Sequence, residues 1–139
     1  MNIFKYIKKA IVFTLVVFGL SWALQSPSFA AGLEGNWKLT TLGDSPVPAE
    51  VQITANFDPS QHGINGLVVC NGYFAGYEST EDAITLRPVA STLRYCGDER
   101  EQQYIQAIQS SKSYKVSDQE LTINTDYPRA NVLKFVKVQ

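Results

Sequence analysis

Over residues 51–57 the chain takes turns between two kinds of side chain: Val51, Ile53, Ala55 and Phe57 are apolar, Gln52, Thr54 and Asn56 polar. Successive side chains of an extended strand point to opposite faces, whereas apolar positions on a helix recur every three or four residues. A period of two therefore predicts a half-buried strand and excludes a helix.

Short segments of this kind, with turn residues between them, fill the chain from Asn36. Residues 37–42 form a first strand candidate, closed by Gly43, Asp44, Ser45 and Pro46. The stretch from Asp58 through Pro59 to Gly63 is turn chemistry, because Pro fixes φ and Gly supplies left-handed conformations. Residues 64–70 are continuously apolar over Leu67, Val68, Val69 and Cys70, which predicts a central strand that Asn71 and Gly72 break. A short segment over 73–77 leads to strands at 83–87 and 89–95. The pattern then changes. Asp98 with Glu101 three residues later has the form of a capping box, and Tyr104, Ile105 and Ile108 share one stripe flanked by glutamines, so residues 98–111 read as the single helix. Strands at 113–116, 120–124 and 131–138 follow. The fold class expected is mainly β: a small antiparallel β-barrel-like domain with one α-helix inserted before the C-terminal strands.

The N-terminus differs. Lys5, Lys8 and Lys9 precede an apolar stretch from Ala10 to Leu24, and Ser28 and Ala30 then occupy a small-x-small position. This is the layout of a secretory signal peptide, with cleavage expected between Ala30 and Ala31; an uncleaved anchor is the alternative. The domain then comprises residues 31–139, in the periplasm or secreted, with no stable membrane span and no cysteine positioned for lipid attachment. Three of the 12 basic residues lie in the leader, so 9 face 13 acids in the remainder, a formal charge of −4. Such a domain is a poor ligand for nucleic acid, which demands clustered Lys and Arg. A monomer is expected.

Reactive chemistry is sparse. Two cysteines, Cys70 and Cys96, and one histidine fall short of a usual zinc set, and no metal or cofactor is expected. Ser60 and His62 share a polar turn without the geometry of a nucleophile and base, while Glu78, Glu81 and Asp82 read as a solvated turn. The chain is not expected to be an enzyme. For Cys70 and Cys96 two readings stand: a disulfide, favoured by export, or two buried thiols packing as small hydrophobes. Aromatic residues gather near them, namely Tyr73, Phe74, Tyr77 and Tyr95. These rings are either a core plug or the lining of a docking surface.

The order Val69-Cys70-Asn71-Gly72-Tyr73, Tyr77, Thr92-Leu93-Arg94-Tyr95-Cys96, Glu101 and Tyr104, behind an opening Trp37-Lys38-Leu39, resembles the META domain family, whose members are HslJ-like heat-shock and envelope proteins. The resemblance covers residues 33–137, with Cys70, Asn71, Tyr73, Tyr77, Thr92 and Cys96 as signature positions. It implies a barrel-like fold, an envelope location and association with stress tolerance, and it carries over no catalytic residue. Its recurring segment suggests that Asn71 takes a left-handed strand exit, that Thr92 satisfies a backbone group and that the two cysteines pin the segment. Two departures stand out: Val69 where the family often has Gly, and Ala75 with Gly76 following, which implies a bend moved by one residue.

Three functions follow as expectations: a module binding an envelope protein or a small apolar ligand, the latter as a lipocalin-like carrier; an inhibitor of a secreted lysozyme or protease, presenting the proline-bearing turn at 43–49; or a chaperone-like stress protein with many weak clients.

Overall fold

The computed structural model describes residues 32–139, so the proposed leader and its cleavage point lie outside the described residues. Ten strands and one helix follow in order: β1 (Gly35–Leu42), β2 (Ser45–Pro46), β3 (Thr54–Asp58), β4 (Gly63–Val68), β5 (Asn71–Ser79), β6 (Ile84–Leu86), β7 (Ala90–Ser91), α1 (Glu99–Gln109), β8 (Ser111–Ser117), β9 (Glu120–Thr125) and β10 (Val132–Val138). Every strand pairing is antiparallel, and the main path runs β6-β5-β4-β3-β1-β10-β9-β8. The two ends of this path meet: Ala83 bridges Ser113, and the Tyr114 amide donates to the Asp82 carbonyl at 2.9 Å. Eight strands thus form a nearly closed barrel with one helix before the C-terminal strands, as the alternation predicts.

Closure gives each strand one inward face, which is why period-two segments suit it. Trp37, Leu39, Ala55, Phe57, Ile64, Tyr73, Tyr77, Leu121, Ile123, Leu133 and Phe135 point inward and are all buried. Fully burying a large apolar side chain is worth roughly 1.5–3 kcal/mol, so this interior supplies most of the driving force. The helix completes it. Tyr104, Ala107 and Ile108 are fully buried, and α1 contacts β1, β4, β6 and β10, strands from around the wall, so it covers one end of the barrel. Asp98 caps it by accepting the Arg100 amide.

Three expectations about local structure are corrected. Residues 64–70 are not one doubly buried strand: β4 stops at Val68, Leu67 is 48% exposed, and the chain turns over Val69 and Cys70 so that Asn71 opens β5 instead of breaking a strand. An apolar run cannot distinguish a buried strand from a hairpin turn whose geometry is imposed by its neighbours. The strand expected over 89–95 shrinks to Ala90–Ser91, because both backbone groups of Arg94 bond to the Asn71 side chain rather than to a strand. Finally, no bend occurs at Ala75 and Gly76; both lie in regular β5, and Gly76 leaves room for the Arg87 side chain, which would sit 3.1 Å from an added Cβ.

Candidate functional site: the surface tethered by Cys70 and Cys96

At the β4–β5 turn Val69 has φ of 60°, a left-handed conformation that is costly for a β-branched residue. Its amide donates to the Gln52 carbonyl at 2.8 Å, and the next residue is covalently tied, so the surroundings hold the strained turn. A glycine before the first cysteine would adopt this conformation freely, which explains why that residue suits the position. The left-handed residue is therefore Val69, and Asn71 is not in that region.

Cys70 and Cys96 form a disulfide with Cα atoms 5.7 Å apart. The alternative of two buried thiols is thereby set aside, and so is burial itself: Cys70 is exposed and Cys96 half-buried.

Asn71 does the remaining tethering. Its side chain is 1% exposed and saturates its hydrogen-bonding capacity. Oδ1 accepts from the Thr92 hydroxyl at 2.7 Å and from the Arg94 amide at 2.9 Å. Nδ2 donates to the Arg94 carbonyl at 2.8 Å and to Glu101 Oε1 at 2.8 Å, with Cys96 Sγ at 3.2 Å. One amide side chain thus takes both backbone groups of Arg94, the service a neighbouring strand would normally perform. Thr92 adds a second link, since its amide donates to the Gly72 carbonyl at 3.0 Å and its hydroxyl accepts the Gly72 amide at 3.1 Å. The backbone group it satisfies is therefore that of Gly72. The expected capping box is only half made: Asp98 binds the Arg100 amide, but the Glu101 carboxylate turns to Asn71, because that buried amide offers a better partner than a solvated helix end.

Held this way, Leu93, Arg94 and Tyr95 display their side chains outward. Leu93 and Tyr95 are both 94% exposed, and between them and the start of α1 lies an open groove of ≈ 590 Å³ that includes Arg94, Cys96, Asp98 and Glu99. The Asp98 carboxyl, hydrogen-bonded by the Arg100 guanidinium at 2.8 Å, is held below its usual pKa.

The aromatic group divides in two. Tyr73 and Tyr77 are buried, whereas Phe74 is 64% exposed on the same strand, as alternation requires, and Tyr95 projects from the tethered segment. Inside, the Tyr73 hydroxyl donates to the Thr54 carbonyl at 2.6 Å and lies 2.7 Å from the Tyr104 hydroxyl. Thr54 O can turn inward because Gly66 faces it; a Cβ there would overlap it. Burial raises the pKa of Tyr73, Tyr77 and Tyr104, and at Tyr73 the neighbouring Tyr104 adds to the effect. The sequence reading placed Glu101 and Tyr104 only in the helix; their partners Asn71 and Tyr73 come from 30 and 31 residues away, and no local signal pairs them.

Elsewhere, the Ser60 hydroxyl donates to Asp58 at 2.6 Å, and His62, Glu78, Glu81 and Asp82 are exposed. No group of three potential metal ligands occurs among the described residues. No helix among the described residues is long and apolar enough to cross a membrane.

A nearly closed antiparallel barrel, stoppered by one helix and carrying a disulfide-tethered surface segment, defines a small β-barrel domain. Residues 30–139 match the META domain, and the chain belongs to that family. Among solved structures, it is similar to a protein determined by NMR (TM-score 0.60, 16% identity, covering 74% of this chain and 88% of that one). It is also similar to an NMR structure of a protein from Burkholderia xenovorans (TM-score 0.59, 18% identity, covering 83% and 92%). At these identities the likeness concerns the fold. No curated protein matches the chain.

Proposed function

We propose that this META domain is an exported, non-enzymatic recognition module of the cell envelope, linked to stress tolerance, which holds a partner protein on the surface around Leu93 and Tyr95. The observation that carries the reading is a contrast between inside and outside. The barrel interior is occupied by Trp37, Phe57, Tyr104 and Phe135, all at most 1% exposed, whereas Leu93 and Tyr95 stand in solvent on a backbone that is already fixed. A lipocalin-like carrier needs an open interior, so the packed core favours a surface role. Pre-ordering lowers the entropic cost of docking, and Tyr is among the residues that most often anchor an interface. The disulfide supports export, since such bonds persist in oxidising compartments.

The test compares capture of envelope proteins by the wild type and by Leu93→Ala/Tyr95→Ala. Both side chains are solvated, so the Tm should stay within about 2 °C while capture falls at least tenfold. Equal capture by both would sink the assignment of this surface. Export is checked separately by the mass of the secreted chain, expected to begin at Ala31.

Inhibition of a secreted hydrolase is a second reading, favoured by the same rigid segment rather than by the turn at 43–49. That turn is tied down by the Gly43 amide on the Val132 carbonyl and the Val47 amide on the Thr40 carbonyl, and its exposed residues are Asp44, Ser45, Pro46 and Ala49, with no large apolar side chain. Lysozyme and serine-protease assays showing no inhibition at micromolar concentration would remove this reading.

A further inference from the structure

The two sulfurs of the disulfide are not equivalent. Cys70 is exposed, while Cys96 is half-buried. N–H groups lie nearer to one of them: Cys96 Sγ is 3.3 Å from the Cys70 amide and 3.2 Å from Asn71 Nδ2, whose two hydrogens are shared with the Arg94 carbonyl and Glu101, whereas Cys70 Sγ has Asn71 Nδ2 no closer than 3.9 Å. Thiol–disulfide exchange depends on which sulfur is reachable and on which leaves better as a thiolate. Here the two criteria select opposite atoms of one bond, the arrangement that a directed exchange requires.

We propose that Cys70–Cys96 is a thiol-exchange site, attacked at Cys70 and releasing Cys96. An incoming thiolate forms a bond to Cys70 Sγ, the Cys70–Cys96 bond breaks, and its electron pair leaves on Cys96 Sγ. The product is a mixed disulfide on Cys70 and a thiolate on Cys96, with no net change in oxidation state. A second thiolate of the same class displaces Cys70 as a thiolate and leaves as a symmetric disulfide, so two thiols are oxidised as the protein disulfide is reduced. The substrate class is a thiol, from a small molecule or from a protein dithiol.

Charges around Cys96 act in both directions. The Arg94 side chain on its own segment favours the thiolate, whereas the Arg94 carbonyl, 3.6 Å from Cys96 Sγ, and Glu99 and Glu101 of α1 oppose it, and Asp98 is paired with Arg100. From β5 the neighbour is Asn71, which carries no charge. The direction of exchange therefore rests on the Cys70 amide, which points at Cys96 Sγ, and on access. The site stands whether or not Leu93 and Tyr95 dock a partner.

The oxidised, folded chain is incubated with glutathione or with a Cys-x-x-Cys dithiol protein, quenched with acid, alkylated and mapped by peptide mass. The expected result is glutathione on Cys70 and the alkyl group on Cys96, in an excess on the order of tenfold over the reverse pattern. Reaction with either thiol source supports the site and the faster one names the source; reaction with neither, while the urea-unfolded chain reacts, overturns it. Glutathione found equally on both cysteines, or mainly on Cys96, also overturns it. If full reduction outruns trapping, Cys70→Ser and Cys96→Ser decide: the pH of half-maximal alkylation should be lower for Cys96 than for Cys70, and the same or inverted order would refute the assignment.

Discussion

The helix-stoppered end of the barrel and the tethered segment over 92–97 achieve order by opposite means. At the stopper, Tyr104 packs edge-on against Tyr73 at 5.5 Å and Phe135 at 6.4 Å, and the polar tips meet each other and one carbonyl. Most of its stability comes from apolar area removed from water, with hydrogen bonds serving to avoid a penalty. The tethered segment buries almost nothing of its own: Leu93, Arg94 and Tyr95 are exposed, and one disulfide and one Asn side chain replace the missing ladder. A backbone can thus be fixed without a core beneath its side chains, leaving those side chains free to face a partner.

The contrast predicts different failures. Tyr104→Ala, which opens a cavity at the stopper, should cost about 4 kcal/mol and lower the single cooperative unfolding transition, read by urea titration. A loss below 1 kcal/mol would show that the stopper is dispensable. Asn71→Ala removes four good hydrogen bonds and strands the Glu101 carboxylate, at a cost of about 3 kcal/mol. Here the signature is local: the Arg94 amide should exchange its hydrogen far faster while amides of β1 and β10 keep their protection. Uniform loss of protection would make Asn71 a core residue like any other.

The third prediction concerns alkali. Tyr73 and Tyr104 have folded pKa values above the ordinary value of 10.0, so folding binds protons that the unfolded chain gives up. Their contribution is complete below pH 10 and is lost as pH rises from there toward the folded values. Each of these two groups adds up to about 1.4 kcal/mol per pH unit to the alkaline loss, on top of what the raised Tyr77 and Tyr114 contribute. Tyr104→Phe should take about 1.4 kcal/mol per pH unit off that slope, read by urea titrations at successive alkaline pH values, and an unchanged slope would show that Tyr104 does not carry it.

Much of the barrel could be read from local pattern because alternation and turn residues act within a few positions. The alternation over 51–57, the helical stripe over 98–111 and the alternation over 131–138 each lie within a few residues of β3, α1 and β10. The errors cluster at the site. The continuous apolar run at 64–70 concealed a turn, and the strand expected over 89–95 dissolved after Ser91. In both places long-range bonds override local preference: the disulfide, Gln52 on the Val69 amide and Asn71 on Arg94 join residues far apart in sequence. The capping box that the spacing predicts is only half made for the same reason, since Asp98 caps the helix while Glu101 meets Asn71 instead of the helix end.

By itself the sequence determined that this chain is a small β domain with one late helix and that its signature residues fall in two clusters, because side-chain periodicity and turn chemistry are local physics. Tertiary structure alone decided which aromatic rings are core and which are surface, since Tyr73 and Phe74 differ only in the barrel face they occupy. It also decided that Cys70 and Cys96 are joined, that Asn71 stands in for a strand, and that Val69 carries the left-handed turn. Each of these depends on chain closure bringing β5 against the segment before α1, and closure is a property of the whole barrel.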